Sequence, residues 1–154
     1  MLAAYQPGVI VKFHRTRWRF QQTFQTPLQD LDTFTGTILG SPSHVDSGTV
    51  TLDSVIMEAK KLQLLLSSLQ LQHDLRHDGS IVAETASEVQ PLLSAALGDW
   101  VDFLFVPAPT PFVVYADHDE HATFFANSKA NLNKITDALT KKGFTVVKNY
   151  IRKA

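Results

Sequence analysis

The sequence predicts a single α+β domain over residues 1–154, with a mainly antiparallel sheet, two longer helices and one short helix. Three observations predict it. Apolar residues recur at spacings of three and four from Leu52 through Val55, Ala59, Leu62 and Leu66 to Leu69, the period of an amphipathic helix. Apolar alternation over Val9–Phe13 and apolar runs over Val101–Val106 and Phe112–Ala116 are strand patterns. The wholly polar Asp117–Glu120 separates Phe112–Ala116 from His121–Ala126, which is a hairpin signature.

The elements follow in order. Val9, Val11 and Phe13 mark a first strand, and Trp18, Phe20 and Phe24 resume on even positions. A continuous strand would put Phe13 and Trp18 on opposite faces, so a turn or bulge falls within His14–Arg17. Asp30–Leu39 is threonine-rich and half-alternating, and reads as another strand. Gly40–Gly48 is a loop by composition. Thr49–Thr51 closes a short strand, after which the helical period sets in from Ser54 to Arg76, with Thr51 or Asp53 as cap and Gly79 beyond its end. Ser80–Ala86 reads as a short strand. Capping boxes at Thr85–Glu88 and Ser87–Gln90 open a short helix to Leu97 that Gly98 stops. Pro91 argues for the later of the two starts. Val101–Val106 and Phe112–Ala116 are the central strands, joined through the stiff Pro107–Pro111. His121–Ala126 forms the hairpin partner of Phe112–Ala116, the competing reading being a helix that begins near Asp117. A helix from Lys129 to Lys142 carries Leu132, Ile135 and Leu139 and ends at Gly143. Phe144–Ile151 is the closing strand. Both longer helices pack on one face of the sheet; the opposite face, or the hairpin tips, is the working surface.

Composition narrows the function. The 154 residues are 44% apolar and 19% charged, an ordinary globular balance. There is no cysteine, which excludes disulfides, zinc ribbons, iron–sulfur sites and a cysteine nucleophile and suits a reducing, cytoplasmic compartment. The formal net charge is −1, which disfavours nucleic acid as a partner. No apolar run is long enough for a membrane span, and Met1–Gly8 lacks the pattern of a secretory signal. No G-x-G-x-x-G, P-loop or G-x-S-x-G motif occurs.

Three clusters carry chemistry. In Asp117-His118-Asp119-Glu120-His121, carboxylates and imidazoles can bind a divalent cation or move protons. In a hairpin at best Asp117, Asp119 and His121 share a side. His73 and His77 stand four apart, as zinc ligands on a helix do, although histidines in a last helical turn are also favoured by the macrodipole. Arg15, Arg17 and Arg19 interleave with Phe13, Trp18 and Phe20, a mixture that can stack on bases and bind phosphates or form the wet face of a sheet.

The reading that leads is a small protein-binding module, such as an inhibitor, an immunity-type neutraliser or an adaptor, with two charged hairpins of opposite sign as contact points. Its contact residues are Arg15, Arg17, Arg19, Asp117, His118, Asp119 and Glu120; it has no catalytic residue and needs no cofactor. The rival is a metal-dependent hydrolase or metal-binding protein holding a divalent ion with Asp117, Asp119 and His121, joined by His73 and His77, His118 lying within the same cluster. A third reading is single-stranded nucleic-acid binding through Arg15–Phe20. The leucine stripe Leu64–Leu71 is broader than one buried face needs, so a homodimer interface is a further expectation.

Overall fold

The computed structural model describes residues 18–40, 44–55, 59–69 and 80–152. The strand expected over Val9–Phe13, Arg15, Arg17, and the helix end with His73 and His77 lie outside the described residues. The architecture is α+β: one antiparallel sheet of six strands in the order β1-β6-β5-β4-β2-β3, with four helices among the described residues. The strands are β1 (Phe20–Gln25), β2 (Ser47–Val55), β3 (Ser80–Ala83), β4 (Val101–Ala108), β5 (Phe112–Ala116) and β6 (His121–Ala126). The helices are α1 (Leu31–Gly40), α2 (Lys60–Leu69), α3 (Ala86–Gly98) and α4 (Lys129–Lys141). β4 and β5 hold the centre, as the apolar runs predict, and β5 and β6 form the predicted hairpin with Val114 opposite Phe124.

All four helices lie on one face and share one core with the strands. α3 covers β2 and β4, α4 covers β1 and β6, and α1 packs between these two helices. Phe24, Phe34, Phe112 and Phe124 are fully buried there. Phe24 and Phe124 meet edge to face at 5.8 Å, and Phe34 meets Phe144 at 5.1 Å, contacts worth about 0.5–1.5 kcal/mol each beyond burial. Gly48 permits a close approach within this core, since a Cβ there would lie 2.6 Å from the Phe105 ring.

The second face carries its own apolar cluster: Trp18, Leu104, Val113, Tyr115 and Phe125. This explains the adjacent phenylalanines of β6. Phe124 enters the helix-side core and Phe125 the opposite one, because successive strand side chains alternate. Trp18, just before β1, and the C-terminal residues together cover part of this face.

Four expectations are corrected. Asp30–Leu39 is not a strand but falls on α1, which buries Phe34, Thr35 and Ile38. Its threonines do not enforce extension, because the Thr35 and Thr37 hydroxyls donate to the Leu31 and Thr33 carbonyls one turn back. The strand that begins near Thr49 does not stop at Thr51 but runs to Val55, with Val50 and Leu52 in the core. α2 therefore starts at Lys60, and the Thr51 and Asp53 caps are not used. Its first turn is capped from far along the chain: the buried Asp99 carboxylate accepts from the Leu62 amide at 2.8 Å, where a negative charge also complements the helix end. The helix expected to be short, α3, has 13 residues, as many as α4. It begins at Ala86 and keeps Pro91 inside. Finally, Phe144–Ile151 adds only an isolated bridge between Val146 and Phe24. Among the described residues no helix is long and apolar enough to cross a membrane.

Candidate functional site

Polar side chains gather where the second face of the sheet meets the β5–β6 turn. A register shift in β2 between Leu52 and Ser54 is a bulge, a device that re-aims a side chain. It sends Asp53 across β4, where its carboxylate accepts a buried hydrogen bond of 2.5 Å from the Tyr115 hydroxyl. Burial, then the hydrogen bond and charge of Asp53, then Asp102 hold the Tyr115 phenol well above the usual tyrosine range; Arg152 acts in the opposite sense.

The turn itself is built by Asp117. Its backbone N–H donates to the His121 carbonyl at 3.0 Å, which closes a three-residue loop, His118-Asp119-Glu120. Asp117 Oδ1 accepts from the amides of Asp119 at 2.9 Å and His121 at 3.0 Å, satisfying both donors of the bend. The last loop residue takes a left-handed conformation in such turns, a place glycine fills without strain. Here it is Glu120, with φ 64°.

Arg152 locks the turn from the other end of the chain. Its guanidinium donates to Asp117 Oδ2 at 2.7 Å and to Thr123 Oγ1 at 3.1 Å. It also lies over the Tyr115 ring, 4.6 Å from the centroid. Thr123 in turn meets Thr23 at 2.8 Å across β6 and β1. The Arg152 backbone and the Gln21 side chain exchange two hydrogen bonds, and the Tyr150 ring packs tilted against His121 with centroids 4.6 Å apart.

His118 leaves the turn on the other side. Asp102 Oδ1 accepts from its backbone N–H at 2.7 Å and from its ring Nδ1–H at 2.9 Å. The hydrogen bond to Asp102, outweighing desolvation, raises the imidazole pKa above its ordinary value; the charges of Asp102, Asp119 and Asp117 act in the same direction. A raised histidine pKa gives stability that is fully present below about pH 6.5 and lost as pH rises through the folded-state value. Asp102→Asn is therefore expected to lower the His118 pKa in an NMR titration and to remove this part of the pH dependence. An unchanged His118 titration in that variant would refute the assignment. Because the ring is 41% exposed, the effect is read in the pKa rather than in stability.

The residues singled out in the sequence divide into groups. Asp117 and His121 belong to the lock, under Arg152 and Tyr150. Asp119 stands out at 71% side-chain exposure, its carboxylate 3.8 Å from His118 Nε2. Arg19 is exposed, with its guanidinium 5.0 Å over the Phe20 ring. Among the described residues no three His, Asp or Glu side chains are grouped to hold a metal ion. Sequence reasoning missed Asp53, Asp102, Tyr115, Tyr150 and Arg152. Asp102, the lone charge in an apolar central strand, was the one available signal. No family model, no curated protein and no solved structure matches the chain.

Proposed function

We propose that this protein is a protein-binding module that presents the β5–β6 turn to a basic surface on its partner. The observation that supports this is preorganisation. Asp117 and Arg152 fix the turn from beneath, while Asp119 projects at 71% exposure with His118 and Glu120 beside it. A rigid acidic projection loses little freedom on binding, and its charge steers encounter more than it sets affinity. The absence of cysteine fits action in the cytoplasm. The metal-dependent alternative would require Asp117 to exchange Arg152 for the ion.

The test replaces Asp119 with Asn and Glu120 with Gln together. Asp119 is exposed and Glu120 half-buried at the turn, and both substitutions keep the shape of the side chain, so the stability of the variant should stay within about 1 kcal/mol of wild type. A partner captured by the wild-type protein should be lost from the variant or associate at least tenfold more slowly at low salt. Equal capture and equal association rates would overturn the proposal.

A further inference from the structure

We propose that a cavity beside this turn receives an arginine side chain of the partner protein, an inference that rests on the protein-binding reading above. The cavity measures about 260 Å³. It lies between the segment after β1, the β5–β6 turn and the end of α4, lined among others by Gln25, Thr26, Gln29, Glu120 and Thr145. Pockets that enclose drug-sized ligands and cofactors run from about 300 Å³ upwards, so this one suits a single side chain.

Its chemistry selects a cation with several donors. Among the described residues, Glu120 is the one charged residue in the lining. The C-terminal end of α4, which carries the negative end of the helix dipole, adjoins it at Gly143. The positive end of α1 is nearby in the chain, and Asp30 and Asp32 offset it. Lys141 and Lys142 line a separate groove with α1 rather than this cavity. Thr26 adds an independent observation. The residue is 4% exposed and its hydroxyl is buried without a hydrogen-bond partner. A buried hydroxyl in that state carries an uncompensated desolvation cost, and a donor that reached it from the cavity Thr26 lines would remove that cost. Gln25, Gln29 and Thr145 also line it, and each side chain can present an acceptor oxygen. A guanidinium brings five N–H donors in one plane, whereas an ammonium is a compact point charge. The distributed acceptors therefore favour arginine over lysine.

The experiment titrates the full-length protein with acetyl-arginine methylamide and follows backbone amides by NMR. Acetyl-citrulline methylamide, a neutral relative of the same shape, and acetyl-lysine methylamide are the controls. Saturable shifts at Gln25, Thr26 and Gly143 are expected for the arginine probe alone. Glu120→Gln should weaken its binding at least tenfold with an unchanged melting temperature. Thr26→Val should raise the melting temperature of the free protein, by removing the unpaired hydroxyl, and still weaken the probe. Equal binding of citrulline or lysine, shifts centred on Asp119 instead, or no saturable shift would each overturn the inference. This test needs no partner, so its failure is distinguishable from failure of the partner-capture test.

Discussion

Arg152→Ala is expected to destabilise the protein by about 3–5 kcal/mol, the usual cost of removing one member of a buried ion pair. The pair is part-buried, with the Arg152 and Asp117 side chains 11% and 12% exposed, so the lower end of that range is expected. The substitution strips Asp117 Oδ2 of its cation, Thr123 of a donor and the Tyr115 ring of its covering guanidinium. The two hydrogen bonds between the Gln21 side chain and the backbone of residue 152 are kept, so the loss reports on the guanidinium. For a chain of this size the melting temperature should fall by roughly 10 °C. Most of the cost is the carboxylate left behind. The pair Arg152→Met with Asp117→Asn should therefore recover a large part of it, since the introduced amide keeps a carbonyl oxygen for the backbone N–H groups of Asp119 and His121. Chemical denaturation of Arg152→Met, Asp117→Asn and the double variant measures the coupling directly. A loss below about 0.5 kcal/mol in Arg152→Ala would mean that the tail does not hold the turn.

That lock explains which parts of the molecule were legible in the sequence. Local signals suffice where local forces decide. Ser128 caps α4 through the Asn131 amide at 3.1 Å, and Gly143 takes φ 89° at its end. Continuous apolar runs placed β4 and β5, and the polar Asp117–Glu120 between two apolar segments placed the hairpin. The failures came where distant residues decide. The Thr-rich α1 has modest helix propensity, and Phe34 and Ile38, buried under α3 and α4, determine its state; tertiary packing overrides propensity there. α2 takes its cap from Asp99, 37 positions away, so no local pattern announced where the helix begins. The candidate site divides in the same way. Asp117–Glu120 was conspicuous as a run of charge. Arg152, far along the chain, reaches Asp117 directly, and Asp53 on β2 reaches Tyr115 across β4 only because the sheet order sets β2, β4 and β5 side by side. A sequence read by periodicity contains no information on which strands become neighbours in that way.

The other large effect is expected at Tyr115. Tyr115→Phe removes the hydroxyl that donates to Asp53 at 2.5 Å. Hydrogen bonds to charged groups contribute about 1.5–3 kcal/mol, and the loss should fall in that range at neutral pH. Asp53 has contacts besides this one, which argues against a larger figure. The phenylalanine ring still fills the space among Trp18, Leu104 and Phe125, so the substitution isolates the hydroxyl from the packing. The pH dependence gives a second, independent reading. Tyr115 is held protonated above the ordinary tyrosine value in the folded protein, first by burial and then by Asp53. Above about pH 10 the unfolded chain loses this proton while the folded protein retains it. The folded state then binds more protons than the unfolded one, and stability falls as pH rises, by at most about 1.4 kcal/mol per pH unit for this group. In Tyr115→Phe that contribution is absent. The variant should therefore be less stable than wild type at pH 7, with the gap narrowing above pH 10. Urea denaturation at a series of pH values measures both effects. Parallel curves for the two proteins above pH 10 would show that Tyr115 ionises normally and that the Asp53 hydrogen bond does not hold its proton.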